Sequence, residues 1–143
     1  MKYQWTEDLA TGDAEMDRQH REILARAAAL AEATQTAAAA PEAVRALRSL
    51  AAYVHAHFDA EERSMVAYAY PAAEEHRRAH DALRAEFQGL AEAFRLGGAS
   101  AALVARVTAF VTEAIASHVA DEDRRLAAHL ATARRRSPRP ARG

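Results

Sequence analysis

No cysteine occurs among the 143 residues. Disulfides, thiolate zinc sites and iron–sulfur clusters are therefore excluded, and any bound metal must be held by imidazole and carboxylate. Breakers are scarce as well, with five glycines and four prolines. Alanine and leucine dominate the apolar half of the chain, so the scarcity of breakers favours helix over strand and predicts an all-α fold. The length is that of one domain, enough to bury a core without cross-links. No run approaches the roughly 20 apolar residues needed to span a bilayer, and the opening MKYQWTEDLATGD lacks a signal-peptide core. A soluble cytoplasmic protein with no membrane partner is the expectation.

Charge is unevenly spread. Residues 134–143 hold five arginines and no acid, and setting those five aside from the net −1 leaves −6 on the rest. The boundaries that follow are a helical domain over 1–133, with an N-terminal arm over 1–12 anchored by Trp5, and a disordered basic tail over 134–143. Without interleaved aromatics the tail is not expected to bind nucleic acid.

Four helical stretches of similar length follow from the punctuation. The first runs from Asp13, an N-cap, to about Thr36, with Met16, His20, Ile23, Leu24, Ala27 and Leu30 on one stripe. Pro41 suits the first turn of a second, whose stripe is Val44, Leu47, Leu50, Val54, His57 and Phe58 and which fades near Val66. Pro71 is expected to open the third in the same way; it carries His76, His80, Leu83, Phe87 and Leu90 and stops at Gly97-Gly98. Ser100 caps the last, lined by Val104, Val107, Val111, Ile115, His118 and Leu126 and ending before Ser137. The run Ala37–Ala40 is read as undemanding helix-former. Short connections between long helices predict an up-down-up-down four-helix bundle.

Five of the seven histidines fall on those inner stripes. Residues four apart on a helix differ by about 40° in direction and about 6 Å in height, so His57/Glu61 and His76/His80 can each serve one metal centre. His20 and His118 continue apolar stripes, and a buried imidazole needs a partner for its polar atoms. His118 and Asp123 are five apart, about 140° around a regular helix, which is unsuited to chelating one ion. Asp123 could bridge from the edge of the stripe, be turned inward by a local helix distortion, or be a solvated acid in the run Asp121-Glu122-Asp123. His55 points away from His57, and His129 lies three turns past His118; neither is assigned to a metal.

Seven donors in this order resemble the hemerythrins, specifically the single-domain bacterial ones, from Trp5 to about Leu130. The resemblance rests on Gly12, Met16-Asp-Arg-Gln-His20, His57-Phe-Asp-Ala-Glu61-Glu-Arg-Ser-Met65, Tyr70-Pro71, His76-x-x-x-His80 and His118-x-x-x-x-Asp123. It implies two irons, one bound by His76, His80 and His118 and the other by His20 and His57. Glu61, Asp123 and an oxo or hydroxo group would bridge them. Imidazole suits iron and argues against magnesium or calcium, while zinc is chemically compatible.

On this resemblance the two-imidazole iron has an open position, and the expected function is reversible binding of molecular oxygen as a bound peroxide, with no enzymatic turnover. Nitric oxide and small anions are further expected ligands. With no appended signalling or catalytic segment in the sequence, a carrier, store or scavenger is expected rather than a sensor or a redox enzyme such as a peroxidase. Ile115 is expected to wall the oxygen pocket. Ala114 stands where many relatives carry tryptophan, which predicts a wider pocket and faster oxidation to the diferric state. Gln19 is expected to hydrogen-bond a ligand imidazole.

Overall fold

The structure, a computed structural model, describes residues 4–33, 40–98 and 100–136. It is a four-helix bundle made of α1 (Ala14–Ala33), α2 (Ala40–Ala67), α3 (Ala73–Gly97) and a long α4 (Ala101–Arg136). Each helix packs on its neighbours in sequence, and α4 closes the ring against α1, as up-down-up-down order requires. Thr36, the rest of the run to Ala39, and residues 137–143 lie outside the described residues.

The boundaries follow local chemistry. Asp13 caps α1 by accepting from the Met16 N–H at 2.9 Å, and Ser100 caps α4 by accepting from the Leu103 N–H at 3.1 Å. Gly98 ends α3 at φ +80°, a left-handed conformation that glycine adopts without penalty. The expectation for Pro71 is corrected. It precedes α3, in a turn closed by the Ala73 N–H donating to the Tyr70 carbonyl at 3.1 Å. The fixed φ of proline suits that turn position equally well.

On α2 the inner stripe is Ala43, Leu47, Leu50, Val54, Phe58 and Met65, and Ala43 rather than Val44 lies inward: Val44 is 37% exposed. Phe110, which the pattern of α4 did not single out, is fully buried against Phe87. By length and composition α4 could cross a membrane, contrary to the reading of its sequence. Its apolar positions instead face the bundle interior, where Val107, Val111, Ile115, Leu126 and Leu130 are buried.

Two stretches of α4 are π-helical, Phe110–Ile115 and Val119–Asp123. Such i→i+5 turns insert extra chain into a helix without breaking it and re-aim the side chains that follow. Arg134–Arg136, expected to belong to an unstructured basic tail, instead complete α4. Arg134 is held there by Asp13 at 2.8 Å and lies over the Tyr68 ring.

The arm wraps the α1–α4 edge. Trp5 is half-buried with the Arg21 guanidinium 4.1 Å above its ring. Glu7–Leu9 form a 3₁₀ turn against the second π segment, pinned by Arg124 donating to the carbonyls of Asp8 and Ala10. Gly12, at φ +93°, turns the chain so that Thr11 donates to the buried Asp17 carboxylate from its N–H (2.9 Å) and hydroxyl (2.8 Å).

Candidate metal centre

All seven predicted donors converge in the bundle interior, and none is more than 4% exposed. Glu61 lies at the middle. Its Oε1 faces His76 Nε2 at 3.3 Å and His80 Nε2 at 3.0 Å, while Oε2 faces His57 Nε2 at 3.0 Å and His20 Nε2 at 3.8 Å. Asp123 divides in the same sense, Oδ1 toward His118 (2.9 Å) and His76 (3.1 Å), Oδ2 toward His20 (3.0 Å). Two ligand groups result: Glu61, His76, His80, His118 and Asp123, and His20, His57, Glu61 and Asp123. Both carboxylates belong to both groups, each giving one oxygen to either side.

Asp123 reaches the site through the second π segment. In an i→i+5 turn, residues five apart stand nearly one above the other, so His118 and Asp123 share a face that a regular α-helix would deny them. Of the alternatives left open by the spacing, the local distortion is the one realised.

The outer ring nitrogens determine what the inner ones offer. His80 Nδ1–H donates to Glu62 at 2.8 Å, His118 Nδ1–H to Glu122 at 2.7 Å, and His57 Nδ1–H to the Gln19 carbonyl oxygen at 2.7 Å. With the proton on Nδ1, each Nε2 of a neutral ring presents a lone pair to the centre. The Nε2 atoms of His76 and His80, and of His80 and His118, are only 3.1 Å apart, beside carboxylate oxygens. Lone pairs and anions at that spacing repel unless cations lie among them. Donors bound at about 2.1 Å and at right angles around one ion are about 3 Å apart, the spacing observed. Glu61 Oε2, both Asp123 oxygens and His20 Nε2 are buried with no hydrogen-bond partner, as atoms directed at a metal would be.

Without metal, protons must supply the positive charge. Burial opposes charging His20 and His76, but the facing carboxylates of Asp123 and Glu61, which accept from these rings once they are protonated, outweigh it and lift both to about 9. His118 moves up for the same reasons. Burial pushes the Glu61 carboxyl up, yet its four histidine partners hold it well below the ordinary range, and Asp123 is likewise lowered.

Groups raised from 6.5 to about 9 stabilise the fold fully below pH 6.5, and that contribution is lost as pH climbs through 9. Metal-free protein should thus melt at falling temperature from pH 6.5 to 9. Bound metal, which competes with those protons, should open a widening gap above it. Thermal melts with and without chelator across this range test the point; a flat metal-free curve would contradict it.

Gln19 accepts from His57 Nδ1–H, one of the clustered imidazoles, and its own amide donates to Glu15 at 2.8 Å. His55 is exposed and His129 donates to the Tyr68 carbonyl at 2.8 Å, so neither joins the cluster. Glu62 and Glu122 were missed as imidazole partners. His118-x-x-x-Glu122 is a four-residue spacing that could have been noticed, whereas Glu62 sits one residue off the inner stripe.

The expectation for the pocket is corrected in part. A small cavity of about 20 Å³ adjoins His20, walled by Leu9, Ile23, Leu24, Val111, Ile115 and Val119. Ile115 is there, but Ala114 is not. Ala114 follows the line of His118 toward α3, where it borders Glu86, Leu90 and Phe110. The cavity lies toward α1, on the face of Val111, Ile115 and Val119, so a small residue at 114 does not widen it.

A helical bundle whose interior holds two buried imidazole–carboxylate groups sharing both carboxylates is a non-heme metal protein by architecture. Residues 11–130 match the family described as the hemerythrin HHE cation binding domain, and the chain belongs to that family. No curated protein matches the chain. The family and the cluster together indicate a non-heme iron protein.

Proposed function

We propose that the chain is a di-iron protein that binds molecular oxygen reversibly, as a carrier, store or scavenger in the cytoplasm, and that it is not an enzyme. One observation carries this reading: the two ligand groups are unequal, and the poorer one borders the apolar cavity. His76, His80 and His118 with the two carboxylates offer five donors, whereas His20 and His57 with the same carboxylates offer four. The cavity opens beside His20, on the four-donor side.

With Glu61, Asp123 and the five histidines holding two ferrous ions, the pair would supply the two electrons needed to hold oxygen and give it back. The remaining work belongs to the protein. Glu61 and Asp123 hold the two positions together, one oxygen to each side. Gln19 fixes the His57 ring so that Nε2 faces inward. Leu9, Ile23, Leu24, Val111, Ile115 and Val119 surround about 20 Å³, room for one small molecule, with side chains that offer water no hydrogen bonds. A dry wall of this kind favours a neutral diatomic over water and disfavours charged species. Nitric oxide fits the same space and polarity, and small anions are the less favoured ligands.

The test is anaerobic loading with ferrous iron, a metal count, and a visible spectrum taken through cycles of oxygen and argon. We expect two irons per chain and a visible band that appears with oxygen and disappears on its removal. One ion per chain, a preference for zinc over iron, or a colour change that argon never reverses would each defeat the proposal.

A further inference from the structure

We infer that the two metal positions fill in a fixed order, the three-imidazole side first and more tightly, and that Glu62 and Glu122 act as positioning residues that set this order. The inference rests on the dinuclear reading above and goes beyond it to how the centre is assembled.

The asymmetry is in what backs each imidazole. On the side of His76, His80 and His118, two rings lean on full negative charges: His80 Nδ1–H donates to Glu62 at 2.8 Å and His118 Nδ1–H to Glu122 at 2.7 Å. On the other side His57 leans on the neutral Gln19 amide at 2.7 Å; His20 Nδ1 there and His76 Nδ1 on the first side are alike buried without a partner, so the asymmetry lies in the two carboxylates. A carboxylate behind a metal-binding imidazole pulls on the outer proton, strengthens the lone pair that faces the metal and fixes the ring. The same side also has the larger donor set, five against four. Both differences favour it.

The two carboxylates are themselves held. Glu62 accepts from Arg84 at 2.9 Å, and Arg84 also reaches Asp59 and Asp81, each at 3.1 Å. That arginine packs over Phe58, whose ring stacks on His80 with centroids 4.1 Å apart. Glu122 has Arg125 at 3.9 Å. Glu62, on α2, is thus anchored by Arg84 of α3, whereas Glu122, on α4, is held by His118 itself with only a long contact to Arg125.

The experiment uses the full chain loaded with cobalt(II), chosen because it is coloured and stable in air. After a metal count, an excess of chelator is added and the loss of the cobalt spectrum is followed. The expected result is release of one ion per chain in a fast phase and one in a phase at least about tenfold slower. Glu62→Gln and Glu122→Gln should each speed the slow phase by about 10- to 100-fold while leaving the fast phase nearly unchanged. Glutamine keeps the shape of the side chain, and the two variants sit on different helices, so poor folding of one leaves the other informative. General loosening would speed both phases and lower the metal-free melting temperature. Release of both ions in a single phase from the native protein, or equal acceleration of both phases in the variants, overturns the inference while leaving a dinuclear centre standing. A loaded count other than two removes the dinuclear reading itself, and this order with it.

Discussion

Replacing Glu61 with alanine is expected to cut bound metal from two ions per chain to one or none and to lower the melting temperature of the metal-free protein by about 10–15 °C. Glu61 is 4% exposed and faces four of the five clustered histidines, two with each oxygen. Its loss removes one donor from each ligand group at once, which no other single residue except Asp123 can do. Without metal the damage is different in kind. The imidazolium charges that Glu61 helps sustain on His20 and His76 would be left in a buried site with Asp123 as their sole carboxylate partner in the cluster. Breaking a buried charge pair by removing one partner costs about 3–5 kcal/mol, because the remaining charge must be neutralised or left uncompensated. Elemental analysis and thermal melting measure the two effects separately. Glu61→Gln separates charge from volume: it fills the same space, so its metal loss should match alanine's if the carboxylate is the essential feature. Retention of two ions by Glu61→Ala would remove Glu61 from the centre.

How far the centre could be read in advance depended on whether each donor obeyed regular helix geometry. His57/Glu61 and His76/His80 do, since four residues span a little more than one α-turn. His20 and His118 were legible because apolar stripes run through them, and a stripe identifies the inward face without reference to chemistry. Asp123 was not legible from spacing. What brings it inward is a backbone departure, the π turn over Val119–Asp123, and its residues Val-Ala-Asp-Glu-Asp carry no pattern that distinguishes a π turn from an α one. Donor order and family resemblance supplied what periodicity could not. Ala114 failed for a related reason: position relative to His118 was taken for position relative to the cavity. His118 faces α3 and the cavity faces α1, a difference that only the packed bundle reveals. The carboxylates behind His80 and His118 were obscured because partly exposed glutamates on a charged helix surface look alike, whether solvated or holding a ring.

Inserting one alanine after Ala120 should be more damaging than any single substitution on that surface, whereas deleting Ala120 should be tolerated. Ala120 is exposed and lies inside the second π segment, so neither change removes a packed side chain. An added residue advances everything after it by about 100°. Asp123 then leaves the centre, and Leu126 and Leu130, both at 2% exposure or less, rotate toward solvent. Each leucine so lost from the core costs about 2–5 kcal/mol, which together with a displaced buried acid approaches the whole stability of a domain this size. Deletion acts oppositely. It places the aspartate four residues after His118, the spacing that already works for His57 and Glu61 in a regular helix, and leaves the following leucines in phase. The deletion variant is therefore expected to bind two ions and to melt within about 5 °C of the native chain, and the insertion variant to bind at most one and melt at least about 15 °C lower. Metal counts and melts on the two variants decide it. If the insertion were tolerated and the deletion not, the π turn would be serving something other than the alignment of Asp123 with His118.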